Sequence, residues 1–195
     1  MTPDTVRQRL AALDPGGWDS VPQPAGGKAQ LTPAAVLIPL VTHDAGLTAI
    51  FTERTAHLND HAGQVSFPGG RFEPADGGAV TTALREAEEE IGLAREAVEV
   101  VGRLDAHDTS SGFSVVPVVG LVAPPYSLTL DAFEVAEAFE VPLSFLFDPA
   151  NRRREEAFWR GRMRCYDIYD DFEGHRVWGV TARIVASLRE VLAGP

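Results

Sequence analysis

The part of the sequence that most constrains the fold is a short acidic helix that directly follows a glycine-rich loop. Residues 84–93 read LREAEEEIGL, and Gly92 is placed to end the helix. At about 100° per residue, Glu86, Glu89 and Glu90 lie on one face. Three carboxylates at this spacing repel one another, which weakens the helix unless a cation lies between them. The sequence therefore favours a fold in which this face meets a cation.

The loop before the helix supports this interpretation. Residues 68–78 read PGGRFEPADGG, and glycines allow the backbone to approach a ligand closely. A carbonyl of Gly69 or Gly70 is therefore a candidate metal ligand, since hard divalent cations prefer oxygen donors. Arg85 neighbours the acidic face and is expected to hold a carboxylate by charge-assisted hydrogen bonds. The alternative is an ordinary solvent-facing acidic helix, on which Glu88 points to solvent.

The remaining elements predict one α+β domain with a mixed sheet. The runs 34–43 and 47–56 flank a turn at residues 44–46 and predict a hairpin. Other strands are expected at 64–70, 98–104, 113–122 and 135–141, with a strand pair at 153–160 and 163–169. Helices are expected at 3–13, 82–91 and 180–192, with a short one in PLSFLFD at 142–148. A sandwich of short strands is the alternative, and the two clear helices disfavour it.

The first helix is separated from the rest by a linker. Thr2 is placed to cap it, and Val6, Leu10 and Leu13 share one face. Prolines and glycines fill residues 18–32, so the helix is either an attached arm or part of the core. We therefore predict a helix and linker at 1–32 and the main domain at 33–195.

The charge balance excludes some partners. Against 17 Lys and Arg stand 28 Asp and Glu, a net charge of −11, so we expect neither nucleic-acid binding nor docking on an anionic membrane. A small anionic ligand stays compatible, because a metal ion can invert the local field. No apolar run reaches the ~18 residues needed to span a bilayer. The N-terminus lacks a secretory pattern, and Cys165 is the only cysteine, so we predict a cytoplasmic protein.

The acidic helix and its loop resemble the Nudix box, G-x5-E-x7-R-E-U-x-E-E-x-G-U, in which U is a bulky apolar residue. The second half matches at Arg85, Glu86, Ala87, Glu89, Glu90, Gly92 and Leu93, with the small Ala87 at a U position. The first half departs from the pattern. Counted from Gly70, the acidic position is Asp76 rather than Glu, and eight residues rather than seven separate it from Arg85.

Residues 51–70, FTERTAHLNDHAGQVSFPGG, resemble the pattern of the coenzyme A pyrophosphatase branch of this family, L-L-T-x-R-[SA]-x3-R-x3-G-x3-F-P-G-G. The matching positions are Thr52, Arg54, Gly63, Phe67, Pro68, Gly69 and Gly70. Thr55 replaces the small Ser or Ala, and Asn59 stands where the second Arg is expected. With similar downstream segments, the resemblance extends over roughly residues 34–190.

The resemblance implies a Nudix-type α/β/α sandwich with a mixed β-sheet and an extra N-terminal helix. It implies a Mg²⁺- or Mn²⁺-dependent hydrolase that cleaves the pyrophosphate of coenzyme A or its derivatives to 3′,5′-ADP and 4′-phosphopantetheine. The alternatives are a Nudix hydrolase of ADP-ribose, NADH or dinucleoside polyphosphates, and a nucleotide-sensing module without catalysis. The partner is thus a small molecule, and a homodimer stays open.

The resemblance also assigns roles to individual residues. Glu86 and Glu90 are the principal metal ligands, joined by the backbone of Gly70, while Glu89 is a third ligand or the general base. Arg85 completes the catalytic group. Arg54 and Arg71 are expected to bind the substrate, because planar guanidinium groups bind phosphate oxygens in pairs. His61, in the loop beside Gly63, is also expected to contact phosphate. The other candidates for the general base are Glu137, His61 and His107.

Overall fold

Four α-helices and ten β-strands form the regular structure of the described residues, 1–13, 31–56, 63–159 and 162–194, in this computed structural model. The helices are α1 (Pro3–Ala11), α2 (Ala79–Ile91), α3 (Leu143–Phe147) and α4 (Gly179–Ala193). The strands are β1 (Thr32–His43), β2 (Gly46–Arg54), β3 (Val65–Ser66), β4 (Gly69–Arg71), β5 (Val98–Arg103), β6 (His107–Asp108), β7 (Phe113–Val122), β8 (Val135–Pro142), β9 (Arg152–Trp159) and β10 (Arg162–Tyr169).

Eight of these strands form one mixed sheet. Its central order is β3-β2-β1-β7-β5, with β4 on β1, β6 on β7 and β8 on β2. Strands β1 and β7 run parallel, and the other pairs are antiparallel. The predicted hairpin is confirmed, since β1 and β2 pair up to His43 and Gly46. Strands β9 and β10 pair separately, as predicted.

The central strand β1 is apolar on both sides, and its residues alternate between two core layers. Ala35, Leu37 and Val41 pack with α2 on one face of the sheet. Ile38 and Leu40 pack on the other face with α1, α3 and α4. Strands buried on both faces read as continuous hydrophobic runs, as this one does. The expected α/β/α sandwich and α+β class are confirmed, and the strand-only sandwich is excluded.

The N-terminal helix belongs to the core. Thr2 caps α1 by accepting a hydrogen bond from the Thr5 N–H at 3.2 Å, while Val6 and Leu10 are buried against the sheet layer. The prediction that Leu13 shares this face is wrong, because α1 ends at Ala11 and Leu13 is 51% exposed. The attached-arm alternative is wrong for the same helix. The domain boundary between residues 32 and 33 stays a prediction.

Helix boundaries differ from the expected ones by a few residues. Helix α2 begins at Ala79 rather than Thr82, directly after an extended Gly78. It ends as predicted at Gly92, whose left-handed φ of 66° is one that glycine adopts without strain. The two-residue strand β6 was not expected, since so short a segment carries no period. Within the described residues, the helices are too short or too polar to cross a membrane.

A pair of leucine substitutions tests whether α1 contributes to the core. We expect Leu10→Ala to lower the free energy of unfolding by about 2–5 kcal/mol, because it leaves a cavity under α1. Leu13→Ala on the same helix end is the matched control and should change it by less than about 0.5 kcal/mol. Urea unfolding measures both. Equal effects would contradict the packing of α1 described here.

Candidate active site

Helix α2 presents its carboxylates at the edge of its buried face. Its apolar residues recur every four positions and pack on the sheet, namely Ala79, Ala83, Ala87 and Ile91. Glu86 and Glu90 flank this stripe, and the side chain of Glu90 is only 7% exposed. Glu89 lies further round, with 59% of its side chain exposed. The three glutamates therefore differ in environment although they share one helix.

The glycine loop meets the two buried glutamates through its backbone. The Gly69 N–H donates a hydrogen bond to Glu90 Oε2 at 3.1 Å. A Cβ atom on Gly70 would clash with the Glu86 carboxyl group, so any larger residue would displace this carboxylate from the loop. Strand β4 holds both glycines in place, because Gly70 pairs with Ala35, which faces α2. The close backbone approach expected from the sequence is therefore present.

Arg85 is the centre of an ion-pair network beneath this site. Its Nε and Nη2 donate to the two oxygens of Asp76, at 2.8 and 3.0 Å. Its Nη1 lies 2.8 Å from a Glu89 oxygen and 3.0 Å from a Glu86 oxygen. Its Nη2 also donates to the Arg71 carbonyl oxygen at 3.0 Å. One guanidinium thus connects the loop to the acidic helix.

Burial disfavours the charged form of both Glu86 and Glu90. Loss of hydration, reinforced by the charges of Glu86 and Glu134, raises the pKa of Glu90 to about 8. Desolvation likewise raises the pKa of Glu86, against the opposing effect of Arg85. The nearest guanidinium to Glu90 is that of Arg54, whose Nη1 lies 3.9 Å from Oε1. A further positive charge beside Glu90 would therefore stabilise its ionised form.

The donor set suits a hard divalent cation. Among the side chains that the structure describes, no three Asp, Glu, His or Cys residues converge as a closed metal cluster. Two largely buried carboxylates beside a half-buried glycine backbone nevertheless match the way Mg²⁺ binds, with few protein oxygens and several waters or substrate oxygens. Glu86 and Glu90 are the residues that would hold it, with Gly70 beside them.

The structure brings only some of the other predicted residues to this place. Arg54 lies beside Glu90, as described. The Arg71 side chain lies away from α2, since Arg71 pairs with Ala34 on the opposite face, and its guanidinium covers the Phe113 ring at 5.3 Å. His61 lies outside the described residues, so its role stays a prediction.

The more distant candidates for the general base lie on the other side of the sheet. Glu137 is 3.7 Å from His175 Nε2, and this imidazole stacks on Phe139 in the layer opposite α2. His107 pairs with Val115 in that same layer, where burial and Arg183 lower the pKa of the imidazole. Neither side chain is brought to the acidic helix. Glu89 therefore stays the preferred candidate.

Two carboxylates near the site, Asp76 and Glu134, were not among the predicted site residues, although the sequence marked Asp76 as the acidic position of the Nudix box. Asp76 accepts two hydrogen bonds from Arg85, one from the Thr82 hydroxyl at 2.9 Å and one from the Glu73 N–H at 2.9 Å. These bonds occupy both oxygens of Asp76 and hold its pKa well below the usual range, so Asp76 positions Arg85. Glu134 acts on Glu86 and Glu90 through its charge. The only sequence feature that could have indicated Glu134 is that it is an acidic residue directly before β8.

The pKa of Glu90 predicts a pH-dependent stability. A carboxyl that titrates near 4.5 when unfolded and at about 8 when folded binds its proton more tightly in the folded state. Its stabilising effect is therefore full below pH 4.5 and is lost as the pH rises to 8, by up to about 1 kcal/mol per unit. Urea unfolding in EDTA should show a steeper loss of stability from pH 5.5 to 7.5 for the wild type than for Glu90→Gln. Parallel pH profiles would contradict the burial of this charge.

Comparison with known proteins agrees with this geometry. Residues 31–156 match the family profile of the NUDIX domain. A Yersinia enterocolitica protein described as "Uncharacterized Nudix hydrolase NudL" is 40% identical over 173 residues, which cover 87% of this chain and 86% of the relative. An Escherichia coli K12 protein of the same description is 42% identical over 168 residues, 80% of each chain.

A solved structure supports the fold. The crystal structure of a Nudix hydrolase from M. smegmatis, RenU, has a TM-score of 0.51 at 20% identity, covering 66% of this chain and 80% of that one. At this identity the likeness concerns the fold alone. The family profile spans most of the sheet, α2 and the glycine loop, and the relatives span four fifths or more of the chain. The chain therefore belongs to the Nudix hydrolase family.

Proposed function

We propose that this Nudix hydrolase cleaves the pyrophosphate bond of coenzyme A or its derivatives in the cytoplasm. The observation that carries the proposal is the contact between α2 and the segment that resembles the coenzyme A branch. Three residues of that segment meet the acidic helix: Gly69 bonds Glu90, Gly70 abuts Glu86, and Arg54 lies 3.9 Å from Glu90. These contacts support the proposal, because a substrate bound at the glutamates would touch the segment that resembles the coenzyme A branch.

The reaction adds water across a P–O–P linkage and releases 3′,5′-ADP and 4′-phosphopantetheine. A divalent cation, Mg²⁺ or Mn²⁺, supplies neutralisation of the phosphate oxygens and acidification of the attacking water. Glu86 and Glu90 would hold this cation, because burial disfavours their ionised forms unless a positive charge lies beside them. Without it, the carboxylates would repel a substrate that is itself an anion.

The protein's own groups orient the reactants. Arg85 fixes Glu86 and Glu89 at 3.0 and 2.8 Å, so that the helix presents both in one arrangement. Arg54 is 29% exposed at its side chain and offers a planar fork to a phosphate oxygen of the substrate. Glu89, which is exposed, takes the proton of the attacking water or serves as a third ligand.

Product analysis with a panel of candidate substrates tests which substrate the protein prefers. With Mg²⁺ or Mn²⁺, we expect kcat/KM for coenzyme A to exceed that for ADP-ribose, NADH and a dinucleoside polyphosphate. Chromatography should show 3′,5′-ADP and 4′-phosphopantetheine in equal amounts. Hydrolysis of ADP-ribose as fast as coenzyme A would remove the narrower proposal and leave a Nudix hydrolase of another substrate. Binding of all four without turnover would indicate a sensing module.

The role of the helix carboxylates is tested on α2 itself. We expect Glu86→Gln and Glu90→Gln each to lower kcat by roughly 100-fold or more, because misplacing a reacting group by about 1 Å costs that much. Glu88→Gln is the matched control, since Glu88 bonds Arg95 at 2.8 Å on the exposed side of the same helix. It should retain its kcat within roughly twofold. Unchanged turnover in the first two variants would contradict the mechanism.

A further inference from the structure

A small cavity with an arginine-rich lining lies on the side of the central sheet opposite the acidic helix. It has a volume of about 290 Å³ and lies between the end of α3, the start of β9 and α4. Helices α3 and α4 pack on the sheet face opposite α2. The sheet therefore separates this cavity from Glu86 and Glu90, and the catalytic proposal makes no use of it.

Positive charge exceeds negative charge in this lining. Four arginines and two aspartates line the cavity, in a protein whose net charge is −11. Arg152 and Arg154 share a single oxygen, Asp167 Oδ1, at 3.0 and 3.4 Å. Arg189 donates its Nε to the Phe147 carbonyl oxygen at 3.0 Å. Each of these bonds takes up one of the five N–H groups of its guanidinium.

The remaining charged residues of the lining, Arg153 and Asp148, are bonded to groups outside the lining. Arg153 pairs with Asp170 and with Glu155, so it adds little to the surplus. Asp148 accepts a hydrogen bond from the Ala150 N–H at 2.9 Å, which caps the turn before β9. The arginines that remain to bind a ligand are therefore Arg152, Arg154 and Arg189.

A buried hydroxyl near three of the lining residues lacks a partner among the described residues. Tyr169 is fully buried, and its hydroxyl makes no hydrogen bond within the part of the chain that the structure describes. Tyr169 pairs with Arg152 across the β9–β10 ladder, and its hydroxyl is in the electrostatic field of Arg152, Asp167 and Arg189. Leaving a hydroxyl dry and unpaired costs about 1–3 kcal/mol. An acceptor bound between Arg152 and Arg189, close enough to reach this hydroxyl, would remove this cost.

We propose that this cavity binds a phosphate group, carried by inorganic phosphate or by a phosphomonoester. Three guanidinium groups and a hydroxyl offer more donors than the two oxygens of a carboxylate can accept, whereas a phosphate has at least three terminal oxygens. Arginine forks match phosphate oxygens in bidentate geometry. Tyr169 supplies a neutral donor, and Arg152, Arg154 and Arg189 supply the charge.

Calorimetric titration of the full-length chain with inorganic phosphate tests this site, with EDTA present to keep metal from the acidic helix. We expect saturable binding of one phosphate per chain. Arg154→Gln and Arg189→Gln should each weaken it by roughly tenfold or more, as loss of a charge-assisted hydrogen bond does. Arg154 is 75% exposed at its side chain, so its variant should fold even if that of Arg189 does not. Arg95→Gln, exposed and paired with Glu88, is the matched control and should bind as the wild type.

Tyr169→Phe gives an independent readout. It should keep or raise the melting temperature without phosphate, because an unpaired polar atom is removed. It should also reduce the rise in melting temperature that phosphate gives the wild type. AMP that binds with the same Arg154 dependence would identify a phosphomonoester as the ligand, and binding of phosphate alone would identify the inorganic ion. Absence of saturable binding, equal binding of acetate at matched ionic strength, or unchanged affinity in Arg154→Gln would overturn the proposal.

Discussion

The pairing of Arg85 with Asp76 determines how the acidic helix can function. Both side chains are largely buried, at 14% and 3% exposure, and a buried ion pair stabilises a fold only when its remaining hydrogen bonds are made. Here they are, through Thr82, the Glu73 N–H and the Arg71 carbonyl. The pair fastens the loop to α2, and this brings Gly69 and Gly70 against Glu90 and Glu86. It also commits the guanidinium of Arg85 to other carboxylates, so that ionised Glu90 has Arg54, 3.9 Å away, as its ion-pair partner within the described residues and would be stabilised by a bound cation.

The central sheet then divides the charges of the molecule. Odd-numbered residues of β1, such as Ala35 and Leu37, face α2, and even-numbered ones, such as Ile38 and Leu40, face α4. The same alternation in β4 places Gly70 at the glutamates and sends Arg71 to Phe113. An acidic site therefore occupies one face and an arginine-lined cavity lies on the other. The net charge of −11 conceals this separation, because it averages two opposite local fields.

Local patterns made several of these features predictable. The first and last residues of the apolar strand β7, which follows Gly112, were predicted correctly, and Gly92 predicted the end of α2. The sequence also allowed the prediction that Arg71 points away from α2. Successive residues of a strand face opposite sides of the sheet, so this follows once Gly70 is assigned to the side that faces α2. Other features depend on the folded chain. Asp76 pairs with Arg85 although the Nudix box is one residue longer here than in the family pattern. Glu134 lies near Glu90 because the Asp131 N–H, three residues before it, donates a hydrogen bond to the Glu90 carbonyl oxygen at the end of α2. Leu13 follows the helical period but lies beyond the last turn of α1.

The central claim is that Glu86 and Glu90 form the cation site of this Nudix hydrolase. The most direct measurement is Mn²⁺ binding, followed by the electron paramagnetic resonance signal of free Mn²⁺ without substrate. We expect the wild type and Glu88→Gln to bind Mn²⁺ alike, and Glu86→Gln or Glu90→Gln to bind it at least roughly tenfold more weakly. Equal Mn²⁺ affinity in all four proteins would contradict the account.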